Sequence, residues 1–380
     1  MGGQVIMLDI SGIGVLEFFL ILFIGAMLTL VPNMTEKTLV FGVRVPASKL
    51  GLPVFKRAKK TYRVLMIVIT VFGAIAALLI PSNYILLATL MPLIVLLPFF
   101  IVYLNVHYSV ERAKSEGDWY SEISVASSAE VVISGADLRI WVYFMPAIIL
   151  LAATFVAGVL LYPSIPEVFP THFGSNGVAN QYSTKSVWSV FSLGFIGIIL
   201  NAFIIILTYA IYRTPLNQDP SDHSGSNRRR IFRKRFVGMM GVILAALDIM
   251  FFIESLAIWE VVSPGVYLLP MMLAPLFAML VIVMIIMYRT GQVGANLRLD
   301  RVSYTPHNTE SPGSNGARKD DDTLWKAGVI YINRDDTRMF VPKRFGVGYT
   351  LNFGHPGSLA LIIALIAIPV ITLIVTFLPR

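Results

Sequence analysis

Long apolar runs dominate this chain, separated by short turn-forming stretches on one side and by basic stretches on the other. Eight runs, over about 12–31, 64–80, 84–104, 141–162, 187–212, 236–262, 266–288 and 357–378, approach the ~20 apolar residues that a helix needs to cross ~30 Å of hydrocarbon. Pro81-Ser82-Asn83 joins the second run to the third, and Ser263-Pro264-Gly265 joins the sixth to the seventh. Both are turn chemistry, so each pair reads as a helical hairpin. The pattern predicts an all-α polytopic membrane protein of about eight transmembrane helices, with 64–80 the shortest of them.

Composition adds an exclusion. Of 380 residues, 56% are hydrophobic and 14% charged, where a soluble domain carries roughly 25% charged residues. Too little polar surface remains for a soluble protein. The net charge of +8 is distributed unevenly: 28 of the 30 Lys and Arg follow the first, third, fifth and seventh runs, leaving only Lys185 and Arg380 on the other side. Cytoplasmic loops concentrate Lys and Arg. The expectation is a plasma-membrane protein with its basic face in the cytoplasm and both termini outside, and the positive charge requires no nucleic-acid partner. Dropping run 64–80 would break this alternation. No Lys or Arg precedes the first run, which therefore reads as a retained span rather than a cleaved signal.

Chemistry is sparse. There is no cysteine, which excludes disulfides and thiolate sites, and the five histidines have no metal-ligand spacing. The chain has no His-Glu-x-x-His, no Gly-x-Ser-x-Gly and no glycine-rich phosphate loop. No enzyme activity, cofactor or metal is expected. Within the runs, Asp248 lies near the centre of the sixth, Glu254 is six positions on, and Asn201 sits at similar depth in the fifth. A central Asp costs ~2.5–3.5 kcal/mol to insert, so it should face the bundle, with Asn201 as a hydrogen-bond partner. Intramembrane carboxylates also mark proton or ion relays, so a proton-coupled transporter is one reading; a packing contact is the other.

Outside the spans the chain divides further. A three-span region with basic loops (1–140) precedes a two-span unit (141–213) and a basic loop with a helical hairpin (214–290). A flexible linker (291–322), a small cytoplasmic module (323–356) and a last span (357–380) complete it. The outer loop of 163–186 carries Pro170, His172, Phe173, Asn176, Asn180 and Lys185. It is the only long outer connection, which makes it the natural place for external recognition. Arg228, Arg229, Arg230, Arg233, Lys234 and Arg235, just before the sixth run, are candidates for contact with anionic lipid or a cytoplasmic partner, or serve as an orientation signal. In the module, 329–332 and 339–341 are apolar and flank Asn333-Arg334-Asp335-Asp336, turn chemistry that predicts a β-hairpin-like unit. Its Trp325, Tyr331, Phe340, Phe345 and Tyr349, with Lys343 and Arg344, would either dock on headgroups or form a very small core.

Two strings carry a resemblance. Pro170-Thr171-His172-Phe173, with Gly177, Asn180 and Lys185, resembles an outer-loop domain of unknown function found in the Sdp-type immunity protein family. Trp325-x-x-Gly328-x-Ile330-Tyr331-x-Asn333-x-Asp335-Asp336-x-Arg338-x-Phe340-Val341-Pro342-Lys343-Arg344, continuing through Gly346, Gly348 and Thr350 to Phe353, resembles a second short uncharacterised domain often fused to the first. Phe41-Gly42-Val43-Arg44-Val45-Pro46 looks like a further string recurring in such proteins. The resemblance implies a prokaryotic plasma-membrane protein that confers immunity to a secreted peptide toxin and signals to a cytoplasmic regulator. The resulting expectation is a binding protein, with an extracellular peptide at the outer loop and lipid or a regulator at the basic face.

Overall fold

The computed structural model describes residues 12–81, 84–120, 138–173, 178–215, 223–262, 268–297 and 320–377. In chain order, α1 (Gly12–Met34) leads through a tight hairpin, β1 (Leu39–Val40) and β2 (Val43–Arg44), to α2 (Pro53–Leu78) and α3 (Ile85–Glu116). Next come α4 (Met145–Leu161), the hairpin β3 (Val168–Phe173) and β4 (Ala179–Thr184), the one-turn α5 (Val187–Val190) and α6 (Ser192–Arg213). Helices α7 (His223–Ile258) and α8 (Leu268–Thr290) follow. The short strands β5 (Trp325–Lys326), β6 (Ile330–Tyr331), β7 (Phe340–Pro342) and β8 (Tyr349–Leu351) then lead into α9 (Pro356–Phe377).

Among the described residues, seven helices rather than the expected eight are long and apolar enough to cross a membrane. The eighth run forms α9, whose described apolar part, Pro356–Ala367, is too short to count. The turns expected at Ser82-Asn83 and Ser263-Pro264-Gly265 lie outside the described residues. Several helices extend beyond their apolar runs. α2 starts at Pro53, where a missing N–H costs nothing in a first turn, and α3 continues through polar residues to Glu116.

The helices form two groups. α1, α2 and α3 pack together, as do α4, α6 and α7, and α8 bridges them by touching both α1 and α7. The apolar stripe of α2, Phe55, Ala58, Tyr62, Met66, Thr70, Ala74 and Ala77, recurs every three to four residues and is buried. Tyr62 donates from this stripe to the Leu28 carbonyl at 2.9 Å.

The strands of the C-terminal segment pair differently from the expected hairpin. Segments 329–332 and 339–341 do not pair with each other. Instead β5 pairs with β6 across Ala327-Gly328, and β7 pairs with β8. A parallel bridge from Tyr331 to Asn352 joins the two hairpins. The Asn352 side chain acts as the hub of the unit: its amide donates to the carbonyls of Asn333, Asp336 and Arg338, and its oxygen accepts from the backbone of Asn333 and Gly354. Such a hub compensates for strands of two or three residues, too short to hold a fold alone.

Candidate functional site

Two small β structures sit at opposite ends of the bundle. The first is the β3–β4 hairpin, whose register shifts between Pro170 and Phe173. Phe169 anchors it, fully buried with Ile165, Val190, Phe191, Ile258 and Trp259. The Trp259 indole donates to the Val190 carbonyl at 3.1 Å. Ser186 caps α5 through a reciprocal pair with Ser189, fixing where the hairpin ends. The ammonium of Lys185 donates to the Ile165 carbonyl at 2.8 Å, lies 4.9 Å over the Tyr162 ring and is 4.0 Å from Glu167. Its side chain is only 11% exposed, and the lysine expected to meet a ligand ties the loop to its base. Phe173 packs half-buried against the same cluster, and Asn180 is exposed. The backbone of His172 pairs with Gln181, while Asn176 lies outside the described residues. Val168, Val178, Tyr182, Val187 and Trp188 expose apolar surface around the hairpin.

The second structure gathers segments far apart in sequence. The tips of β1–β2 and β5–β6 meet, each turning through a residue and a glycine at positive φ: Phe41 (50°) with Gly42 (83°), and Ala327 (49°) with Gly328 (67°). Two consecutive left-handed residues make the tight hairpin turn that follows strand twist. A Cβ on Gly42 would stand 2.9 Å from the Gly328 Cα, and one on Gly328 would meet Gly42 and the His107 ring. Glycine is thus required twice, for conformation and for approach. Tyr103 of α3 donates to the Ala327 carbonyl at 2.8 Å, and His107 Nδ1 donates to the Phe41 carbonyl at 2.8 Å. Phe41, Tyr62, Tyr103 and Phe345 stack around the junction.

Beside these tips lies a buried ion network. Arg344, 2% exposed, pairs with both Asp321 and Asp322, donates to the Gly42 carbonyl at 3.1 Å and lies 5.0 Å over Trp325. Arg44 reaches Asp321 at 2.7 Å, and its backbone N–H donates to Asp322 at 3.1 Å. Lys114 of α3 pairs with Asp320 at 2.7 Å and with Asp322 at 2.6 Å. Three cations face three carboxylates, so burial is compensated. Burial alone would lift the Asp321 carboxyl, but the Arg44 and Arg344 guanidiniums outweigh it and hold the group below the usual carboxylate range.

The remaining expected residues fall elsewhere. Arg344, Arg229 and Arg233, taken as surface contacts, are buried; Arg233 donates to the carbonyls of Tyr212 and Thr214, which end α6. Arg230, Arg235 and Lys343 are exposed, while Arg228 and Lys234 are half-buried. Arg235 donates to Thr290 at 2.9 Å. Trp325, Tyr331 and Val341 form a core, with Phe340 buried, rather than a headgroup surface. The stretch expected as a linker is ordered at both ends. Gln292 clamps the β7–β8 turn through the backbone of Lys343 and Gly348, and Asp320, Asp321 and Asp322 join the ion network; 298–319 lie outside the described residues. Asp248 is 1% exposed and accepts from the Asn201 amide with both oxygens, at 3.0 and 3.1 Å. Glu254 is half-buried on the same helix.

The sequence reading missed Tyr103, His107, Lys114, Gln292, Asn352 and the three aspartates. The Phe41–Pro46 string signalled one side of this junction, and the Trp325–Phe353 string, with Gly328 and Arg344, the other.

One helix touches both structures. Near its N-terminal end α7 places Phe232 and Phe236 against Tyr349, with ring centroids 6.0 and 5.3 Å apart. At its other end Ile258 and the adjoining Trp259 pack on Phe169. Its 36 residues span roughly 54 Å at helical rise.

The fold and sites define a polytopic helical membrane protein with a small β structure at each end. Residues 149–198, which contain the β3–β4 hairpin and parts of its flanking helices, match a domain of unknown function (DUF1648). Residues 334–359, which contain β7, β8 and Asn352, match a family of unknown function (DUF5808). No curated protein and no solved structure matches the chain.

Proposed function

We propose that the chain is a plasma-membrane binding protein of the immunity or signalling type, with no enzyme activity. The β3–β4 hairpin meets an extracellular peptide, and the ion-paired module meets a cytoplasmic regulator or the lipid surface. The charge asymmetry supports a cytoplasmic basic face; α9 then crosses as an eighth span and both termini lie outside. The resemblance of the outer loop to Sdp-type immunity proteins supports a secreted peptide toxin as the ligand. The observation that carries the reading is α7, a single helix packed on both β structures, through which occupancy of one can bias the other. Tyr182 and Trp188, exposed beside the hairpin, are the residues best placed to meet a membrane-active peptide, since both present an apolar body with a polar tip.

Expression in a susceptible prokaryotic host challenged with a panel of secreted membrane-active peptides tests this. Protection is expected against one peptide class, and Tyr182→Ala with Trp188→Ala should remove it at unchanged yield and melting temperature. Absence of protection across the panel would count against the immunity function. The transporter alternative rests on Asp248 and Glu254; the enclosed pairing of Asp248 with Asn201 favours packing. Proton uptake into vesicles that is lost in a folded Asp248→Asn variant would revive it.

A further inference from the structure

A second feature of the basic face belongs to neither β structure. Where α2 enters its apolar stretch, Lys56, Lys59, Lys60, Arg63 and Val64 line a basin of about 400 Å³. The four cations stand at i, i+3, i+4 and i+7, so they share one side of the helix. Like charges at this spacing repel and destabilise the helix, and α2 contains no Asp or Glu to offset them. Arg63 donates to the neutral Asn33 side chain at 2.6 Å, which leaves its charge uncompensated. Among the described residues, Lys56, Lys59 and Lys60 make no ion pair.

An orientation signal explains positive charge on this face, but it requires no shared stripe and no basin. The stripe continues along the helix as Val64, Ile67, Val68 and Val71, all exposed, at the same three- and four-residue steps. The opposite side, from Phe55 to Ala77, is buried against the bundle. A cationic basin that opens onto an apolar track matches an amphiphile whose anionic head lies on the lysines and whose chain follows the valines. Four cations in one basin exceed what a single phosphodiester neutralises.

We infer that Lys56, Lys59, Lys60 and Arg63 form a binding site for a phospholipid carrying two phosphate groups, its acyl chains lying along Val64, Ile67, Val68 and Val71. The lysines contribute point charges, and the Arg63 guanidinium a planar fork suited to phosphate oxygens. A free anion would use the basin alone and gain nothing from the track.

The test uses the purified full chain, stripped of lipid in a neutral detergent. Binding is read by native mass spectrometry and thermal shift with cardiolipin, phosphatidylglycerol and phosphatidylcholine, and with inorganic pyrophosphate as competitor. Cardiolipin is expected to bind about tenfold more tightly than phosphatidylglycerol. A Lys56→Gln, Lys59→Gln, Lys60→Gln variant should lose about tenfold or more, while Lys49→Gln, Arg112→Gln, Arg289→Gln, with equal charge removed at exposed positions elsewhere on the basic face, stays within about twofold. Should the triple variant misfold, Lys56→Gln and Lys60→Gln singly, both at exposed positions, are each expected to weaken binding several-fold. Equal loss in the charge-matched control, no loss in the basin variants, or displacement of cardiolipin by pyrophosphate would overturn the site.

Discussion

The hairpin at one end of the bundle and the module at the other differ in what holds them: one rests on an apolar anchor, the other adds a buried ion network. β3–β4 is seated by an apolar anchor: Phe169 is buried under Trp259 and Phe191, and the one cation involved, Lys185, bonds a carbonyl. The module also has apolar seating, Phe345 on Phe41, Tyr62 and Tyr103 and Tyr349 on Phe232 and Phe236, but adds charge and shape: three cations on Asp320, Asp321 and Asp322 and two glycine tips in contact. Apolar seating depends little on pH and tolerates slippage. A buried ion network fixes one geometry and fails sharply when a partner is removed. Under the proposed function, the module is the end to be released as a unit, and the hairpin the end that stays attached while its exposed face makes contacts.

The largest effect should come from the network. Arg344→Ala strips a buried cation from Asp321 and Asp322, leaving them Arg44 and Lys114, and leaves the Gly42 carbonyl without that donor; the expected cost is ~3–5 kcal/mol. Urea unfolding in detergent should show the loss, and limited proteolysis should show cleavage around 320–353 with the hairpin intact. Phe169→Ala, its counterpart, should cost ~3–4 kcal/mol through lost burial and a cavity, with exchange rising first in 168–184. If both variants loosen both ends equally, the contrast in seating is wrong.

Gly328→Ala is expected to cost ~1–3 kcal/mol, because alanine must adopt positive φ while its Cβ meets Gly42 and His107. An unchanged melting temperature would show that the two tips are not held in contact. Acid should separate the two ends further. The folded pKa of Asp321 lies below its ordinary value, so its contribution is complete above the ordinary Asp value of about 4 and is lost as the pH falls through the depressed one. Protease access to the module should therefore rise below about pH 4 while β3–β4 stays protected. The smallest effect is expected at mid-bundle, where Asp248→Asn keeps a hydrogen-bonding amide opposite Asn201 and should change stability by about 1 kcal/mol or less.

Much of this could be read in the sequence where hydrophobicity carries the information. The spans and the Asp248–Asn201 pair follow from apolar length and depth. Helix ends did not, because polar turns such as 105–116 in α3 have no hydropathy signal. The module strands, two or three residues each, are too short for periodicity to assign partners, so Val341 was placed opposite the wrong segment. The ion network was hidden for another reason. Asp322 meets Arg44 across 278 positions, and an acidic triplet in a Ser-, Gly- and Asn-rich stretch looks like solvated linker. Its cations look like orientation signals, yet they pair with carboxylates.

The proposed coupling of the two ends through α7 is the step on which the functional reading rests, and hydrogen exchange on Phe169→Ala in nanodiscs tests it most directly. Faster exchange is expected at β3–β4 and also at 347–351, where Tyr349 rests on Phe232 and Phe236, with the middle of α7 still protected. Exchange that changes only within 165–191 would contradict it, leaving two β structures that share a helix and nothing else.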